Sequence, residues 1–176
     1  LSPMGYAYLY GYVPGIVPAQ GLKLTTMTQI KLSSKGVFSM PAVNVMPRGL
    51  SNNPVLLQQL SFGNTTLTKV SADYAIPIYI GDISIAGGLV YIKRLTLTPH
   101  FDYLFVGGNN PAKVGLFSAG SALTFDLNGL LWINWPCSAG LSYSYNGGPS
   151  YNSSRDTAFS IGVQRHYVGP IFNVSF

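Results

Sequence analysis

From about residue 65 to Phe176 the chain alternates apolar and polar positions over strand-length segments. Leu95, Leu97, Phe101, Tyr103 and Phe105 share one parity; Arg94, Thr96, Thr98, His100 and Asp102 share the other. A strand sends successive side chains to opposite faces, so this stretch has one apolar face and one that carries charge. Two architectures use such a face code. A soluble sandwich buries the apolar face in a core and wets the polar one. An outer-membrane barrel turns the apolar face to lipid and lines its lumen with the polar one.

The same reading predicts strands over 4–13, 21–32, 65–78, 89–106, 115–130, 136–146 and 157–176. In the first, Tyr6, Tyr8, Tyr10 and Tyr12 share a face, as an aromatic girdle or lumen lining rather than a ligand platform. In the second, Leu22, Leu24, Ile30 and Leu32 oppose Lys23, Met27, Gln29 and Lys31. In the third, Val70, Ala72, Tyr74 and Ile76 oppose Lys69, Ser71 and Asp73. In the last, the parity changes near Val168, and the Gly169-Pro170 step predicts a bulge.

Composition chooses between the architectures. Charged residues make up 9% of the 176 positions, against about 25% in a typical soluble domain. Hydrophobic residues reach 47%, yet no apolar run approaches the ~18 residues of a spanning helix. Alternation dilutes apolar residues in just this way in a transmembrane barrel. All the acids are aspartates, which suits an all-β chain. The net charge of +5 comes from scattered groups. No Lys/Arg cluster with interleaved aromatics points to nucleic acid. A single cysteine, Cys137, excludes an internal disulfide framework and reads as a small apolar wall residue. With two histidines and that cysteine, no metal site or other cofactor is expected. The chain opens at Leu1, with no signal peptide, and reads as a processed product or a piece of something longer.

Outer-membrane barrels join their strands by short periplasmic turns and longer extracellular loops. With Phe176 on the periplasmic side, the connections 14–20, 79–88 and 131–135 are periplasmic. Those at 33–64, 107–114 and 147–156 are extracellular. Trp132 and Trp135 then fall at a membrane boundary. Lys93, on the lipid parity, snorkels from a strand end. The connection 79–88 is longer than a tight turn and departs from the rule.

The longest connection, 33–64, holds Pro47-Arg48-Gly49-Leu50. Further on stand Ala72-Asp73-Tyr74-Ala75-Ile76-Pro77, Phe101-Asp102-Tyr103-Leu104, Phe117-Ser118-Ala119-Gly120 and Phe159-Ser160-Ile161-Gly162. In order and content, residues from about 45 to 176 resemble the C-terminal half of the BamA-type barrel superfamily, which includes outer-membrane insertases and two-partner secretion translocators. Leu50 stands where the family usually has an aromatic, and Leu104 where it has a glycine. The terminal signal is also altered: Ile171 occupies the family's glycine position, Gly169 lies two residues earlier, and Val174 replaces an aromatic.

The resemblance implies one domain over 1–176, an antiparallel transmembrane β-barrel in the bacterial outer membrane. The chain would supply the tenth to last strands of a barrel of about sixteen. It implies that loop 33–64 folds back into the lumen, where Arg48 and Gly49 meet Asp73 and Asp102. It implies an assembly signal at Gly169, Phe172, Val174 and Phe176. The expected role is outer-membrane protein assembly or translocation without covalent catalysis. The expected partners are lipid, the remaining strands of the barrel, and periplasmic or lipoprotein subunits. The alternatives are a structural or pore-forming barrel that anchors a periplasmic module, and a hydrolase. For the hydrolase, His100 would be the base, Asp102 its orienting acid and Thr98 the nucleophile. A luminal hydrogen-bond network explains the same residues more simply. The residues also make an argument for the loop contact by themselves. Asp73 and Asp102 lie on the polar parity of neighbouring strands, and a guanidinium fork suits a carboxylate.

Overall fold

The computed structural model describes residues 4–32, 45–50, 64–108, 115–130, 137–148 and 165–174. They form one open antiparallel sheet in chain order. Its strands are β1 (Met4–Pro14), β2 (Gly21–Lys31), β3 (Asn64–Ile85), β4 (Val90–Gly108), β5 (Gly115–Leu130), β6 (Cys137–Gly147) and β7 (His166–Val174). Each strand pairs with the next, and β1 and β7 are the edges. They do not meet to close a small barrel among the described residues. The connections 15–20 and 86–89 are short, and the longest lies between β2 and β3.

Register shows how the parities add up across the sheet. Lys23 pairs with Asp73, and Asp73 with His100. Asp102 pairs with Ser118, and Ser118 with Asn146. Arg94 pairs with Asp126, and their side chains lie 3.6 Å apart. The tyrosines of β1 fall on this same charged face, because Tyr12 pairs with Lys23 and Tyr10 with Thr25. The opposite face carries Val70, Phe101, Phe125, Leu141, Val168 and Phe172, all exposed. Aromatic rings run across it: Phe101 stacks on Phe117, and Phe117 tilts against Tyr145. His166 packs edge-on to Tyr145 and meets the Tyr143 hydroxyl at 2.8 Å.

Two expectations are corrected. The first concerns 79–88, where β3 runs on to Ile85 and only Ala86–Leu89 turn. Ala86, Gly87 and Gly88 take positive φ, which folds the reversal into four residues. Register shifts between Pro77 and Tyr79 and between Ile80 and Ile83 break the period of two, so this strand end reads as loop in the sequence. The second concerns the bulge at Gly169-Pro170. β7 pairs with β6 in unbroken register from Val174 to His166. Pro170 is accommodated because β7 is an edge strand, which can lack an N–H on its open side. Residues 157–164 of the predicted strand, with Trp132 and Trp135, lie outside the described residues. Lys93 is exposed at an irregular step of the β4–β5 ladder.

The buried apolar cluster sits on the charged face. It comprises Val45, Met46 and Leu50 of the loop with Leu67 of β3, Leu104 of β4 and Leu116 of β5. Met27 and Val106 pack at its margin. Three leucines on the charged parity thus form a dry seat for the loop. Leu104 and Leu116 are direct register partners.

Candidate functional site: the loop tip on the charged face

The tip at residues 45–50 lies against β3 to β6, and polar groups flank its apolar seat. Arg48 is the centre. Its Nε donates to Asp102 Oδ2 at 3.1 Å and its Nη2 to Asp102 Oδ1 at 3.0 Å. This is the side-on, two-bond grip that the planar fork makes on a carboxylate. The Arg48 backbone N–H adds a third bond to Asp102 Oδ2 at 2.9 Å. Nη2 also pairs with Asp73 Oδ1. The Asp102 side chain is fully buried. Burial works against the Arg48 charge, but the Asp102 and Asp73 carboxylates outweigh it and raise the guanidinium pKa further.

The chain around Arg48 is shaped to reach this carboxylate. Leu50 N–H donates to Pro47 O at 3.1 Å and closes a turn. Gly49 takes a φ of 82°. A Cβ there would stand 2.9 Å from Asn146 Nδ2 and 3.1 Å from Ser144 Cβ. Glycine is therefore required twice, for the left-handed backbone and for close approach to β6. Lys69 adds a tie that sequence reasoning missed: its Nζ donates to Met46 O at 3.2 Å. A lysine on the charged parity of β3 gives no sign in the sequence that it reaches a loop carbonyl.

The leucine seat was also missed. Its signal is present as Leu67, Leu104 and Leu116, three large apolar residues on the wrong parity in adjacent strands. Leu50 and Leu104, two of the departures from the BamA-type pattern, belong to this same cluster.

The hydroxyl beside His100 is Ser144 Oγ, 3.2 Å from Nε2, and not Thr98. Ser144 is 1% exposed beneath Gly49, so the hydroxyl is sealed from any substrate while the tip is seated. Asp102, the acid expected to orient the ring, is held by Arg48. His100 Nδ1 is buried without a hydrogen bond among the described residues.

Of the residues of the expected terminal signal, three are described. Gly169 is buried, and its carbonyl accepts from Ser142 Oγ at 3.2 Å. Phe172 is exposed on the apolar face, paired with Ala139. Val174 pairs with Cys137, a buried free thiol. Phe176 lies outside the described residues. Among the described residues no three His, Cys, Asp or Glu side chains group as metal ligands would.

Comparison of the chain with protein-family models, with curated proteins and with solved structures returns no match.

Proposed function

We propose that this chain is the C-terminal part of a BamA-type β-barrel of the outer membrane, acting in protein assembly or translocation rather than in covalent catalysis. One observation carries the reading. Apart from Asp82 and Lys93 at the irregular ends of β3 and β4, every Asp, Lys and Arg of the described strands lies on the face that receives Arg48. These are Lys23, Lys31, Lys69, Asp73, Arg94, Asp102 and Asp126, aligned by register. Those two aside, the other face of the described strands exposes only uncharged side chains and one histidine, as a lipid-facing wall requires. The seated Arg-Gly tip adds the feature that the resemblance leads one to expect of a folded-back loop.

In lipid, the free edges of β1 and β7 must be paired, since each unsatisfied backbone group costs several kcal/mol there. Further strands of a barrel of about sixteen satisfy them. Periplasmic or lipoprotein subunits complete the machine. The test is reconstitution of the full-length chain in lipid vesicles with an unfolded barrel protein as client. Folding of the client, scored by its heat-modifiable gel mobility, supports an assembly role. Ion conductance without client folding favours a pore or anchor. Recovery of the chain in the aqueous phase overturns the membrane reading.

A further inference from the structure

We propose that the loop tip and the strands beneath it form an acid-sensitive latch, seated while His100 is neutral and released when His100 takes a proton. The argument rests on the geometry of the seat and does not require the membrane role.

His100 is 5% exposed on the charged face of β4. The groups that face it can be taken element by element. From β3 comes Asp73, its register partner; Lys69 stands four residues along that strand, opposite Leu104, and shares the seat through Asp102 and Asp73. Asp102 follows two residues on along its own strand. The loop brings Arg48. From β5 come Gly120 and Ser118, and from β6 Ser144 and Asn146, none of them charged. On β2, Lys23 stands opposite Asp73 but is exposed, so solvent screens it. The seat therefore holds two cations, Arg48 and Lys69, and two anions, Asp73 and Asp102, of which Asp102 is fully buried and Arg48 and Asp73 are partly exposed. With His100 neutral it is balanced. A proton on His100 adds a third positive charge while both carboxylates are already engaged by Arg48.

Hydrogen bonding points the same way. Nε2 is matched to Ser144 Oγ, whereas Nδ1 has no partner. Protonation turns Nδ1 into a buried donor that makes no hydrogen bond of good geometry in the seated state, with only the Thr98 backbone near enough to favour the charge, which is costly away from water. Lifting the tip relieves the strain, because it carries the Arg48 charge away and uncovers Ser144, the hydrogen-bond partner of the ring. Gly49 rests on the same Ser144 that holds Nε2. Once the tip is released and the ring is solvated, it falls in the ordinary histidine range, above that of an aspartate, so acid favours the released state before it reaches the carboxylates.

The test reads burial of the tip by thiol alkylation of the full chain in detergent micelles, in a Cys137→Ser background. Leu50→Cys reports the tip, since Leu50 is 1% exposed when seated. Ile16→Cys, at a fully exposed position, corrects for the pH dependence of the reagent. The ratio of the two rates is expected to rise tenfold or more between about pH 7.5 and pH 5. His100→Gln should hold the ratio flat. Lys69→Met is the sharper test. It leaves one cation and two anions, so a protonated His100 restores balance and the ratio should fall on acidification. If Leu50→Cys itself loosens the tip, Val45→Cys, at an equally buried position, replaces it. A flat ratio in the parent, an unchanged rise in His100→Gln, or a parent-like rise in Lys69→Met overturns the latch. None of these outcomes bears on client folding in vesicles.

Discussion

Arg48 holds Asp102 by three hydrogen bonds, and one of them comes from its own backbone. The carboxylate thus fixes both the position of the loop chain and the direction of the side chain. Arg48→Ala leaves the buried carboxylate without its guanidinium partner. The expected cost is ~3–5 kcal/mol, as for removal of one partner of a buried pair. Arg48→Lys should fall between the two, because an ammonium keeps the charge and loses the fork. Denaturant unfolding in micelles measures both. Equal stability of Arg48→Ala and the parent would mean that the contact does not hold the loop.

Gly49→Ala puts a methyl group against Asn146 and Ser144 on a backbone with φ of 82°. The strain and the displacement together should cost ~1–3 kcal/mol. The loss should appear as faster proteolysis at the tip, with β-sheet circular dichroism unchanged. A neutral substitution would show that the tip does not rest on β6.

Leu104→Gly opens a hole in the loop seat, with an expected loss of at least ~2–5 kcal/mol, the range for Leu→Ala. Leu50→Phe in the same molecule should restore part of it by filling the space from the loop side. The coupling energy of the double-mutant cycle is the readout, and additive effects would refute contact between the two positions.

Leu123 sits on the apolar face between Leu97 and Leu141 in register, and Thr124 lies on the charged face beside Thr96. If the apolar face meets lipid, Leu123→Arg should cost ~2–4 kcal/mol on refolding into vesicles, with Thr124→Arg much milder. Similar costs would refute the assignment of faces.

Most of this sheet is written in the parity of the sequence. Leu95 to Phe105 against Arg94 to Asp102 is enough to assign the faces of β4, and its neighbours follow. The pattern fails where the backbone departs from a period of two. At Ile78 and around Gly81, irregular pairing shifts β3 by a residue, and a real strand looks like a loop. The candidate site was legible in part. Arg48, Asp73 and Asp102 stand out because charge is scarce in this chain. Lys69 and Ser144 do not stand out, since their roles depend on how near a loop comes, which no local pattern records. The leucine seat stayed hidden for another reason. Leu67, Leu104 and Leu116 look like minor irregularities strand by strand, and only the pairing of β3, β4 and β5 turns them into one surface.

The tip also bears on the order in which the molecule is made. Arg48 lies 54 positions before the carboxylate it grips, and Gly49 rests on a strand that comes later still. The tip therefore precedes in the chain the strands that form its seat, and that seat is complete only where β3 to β6 stand side by side. Its docking is also selective. A slip of one residue in β4 would put Phe101 or Tyr103 beneath Arg48 and turn Asp102 to the apolar side. Only a correctly aligned sheet offers the tip both a carboxylate and a dry pocket. The seated tip is thus a signature of a wall whose strands stand in register.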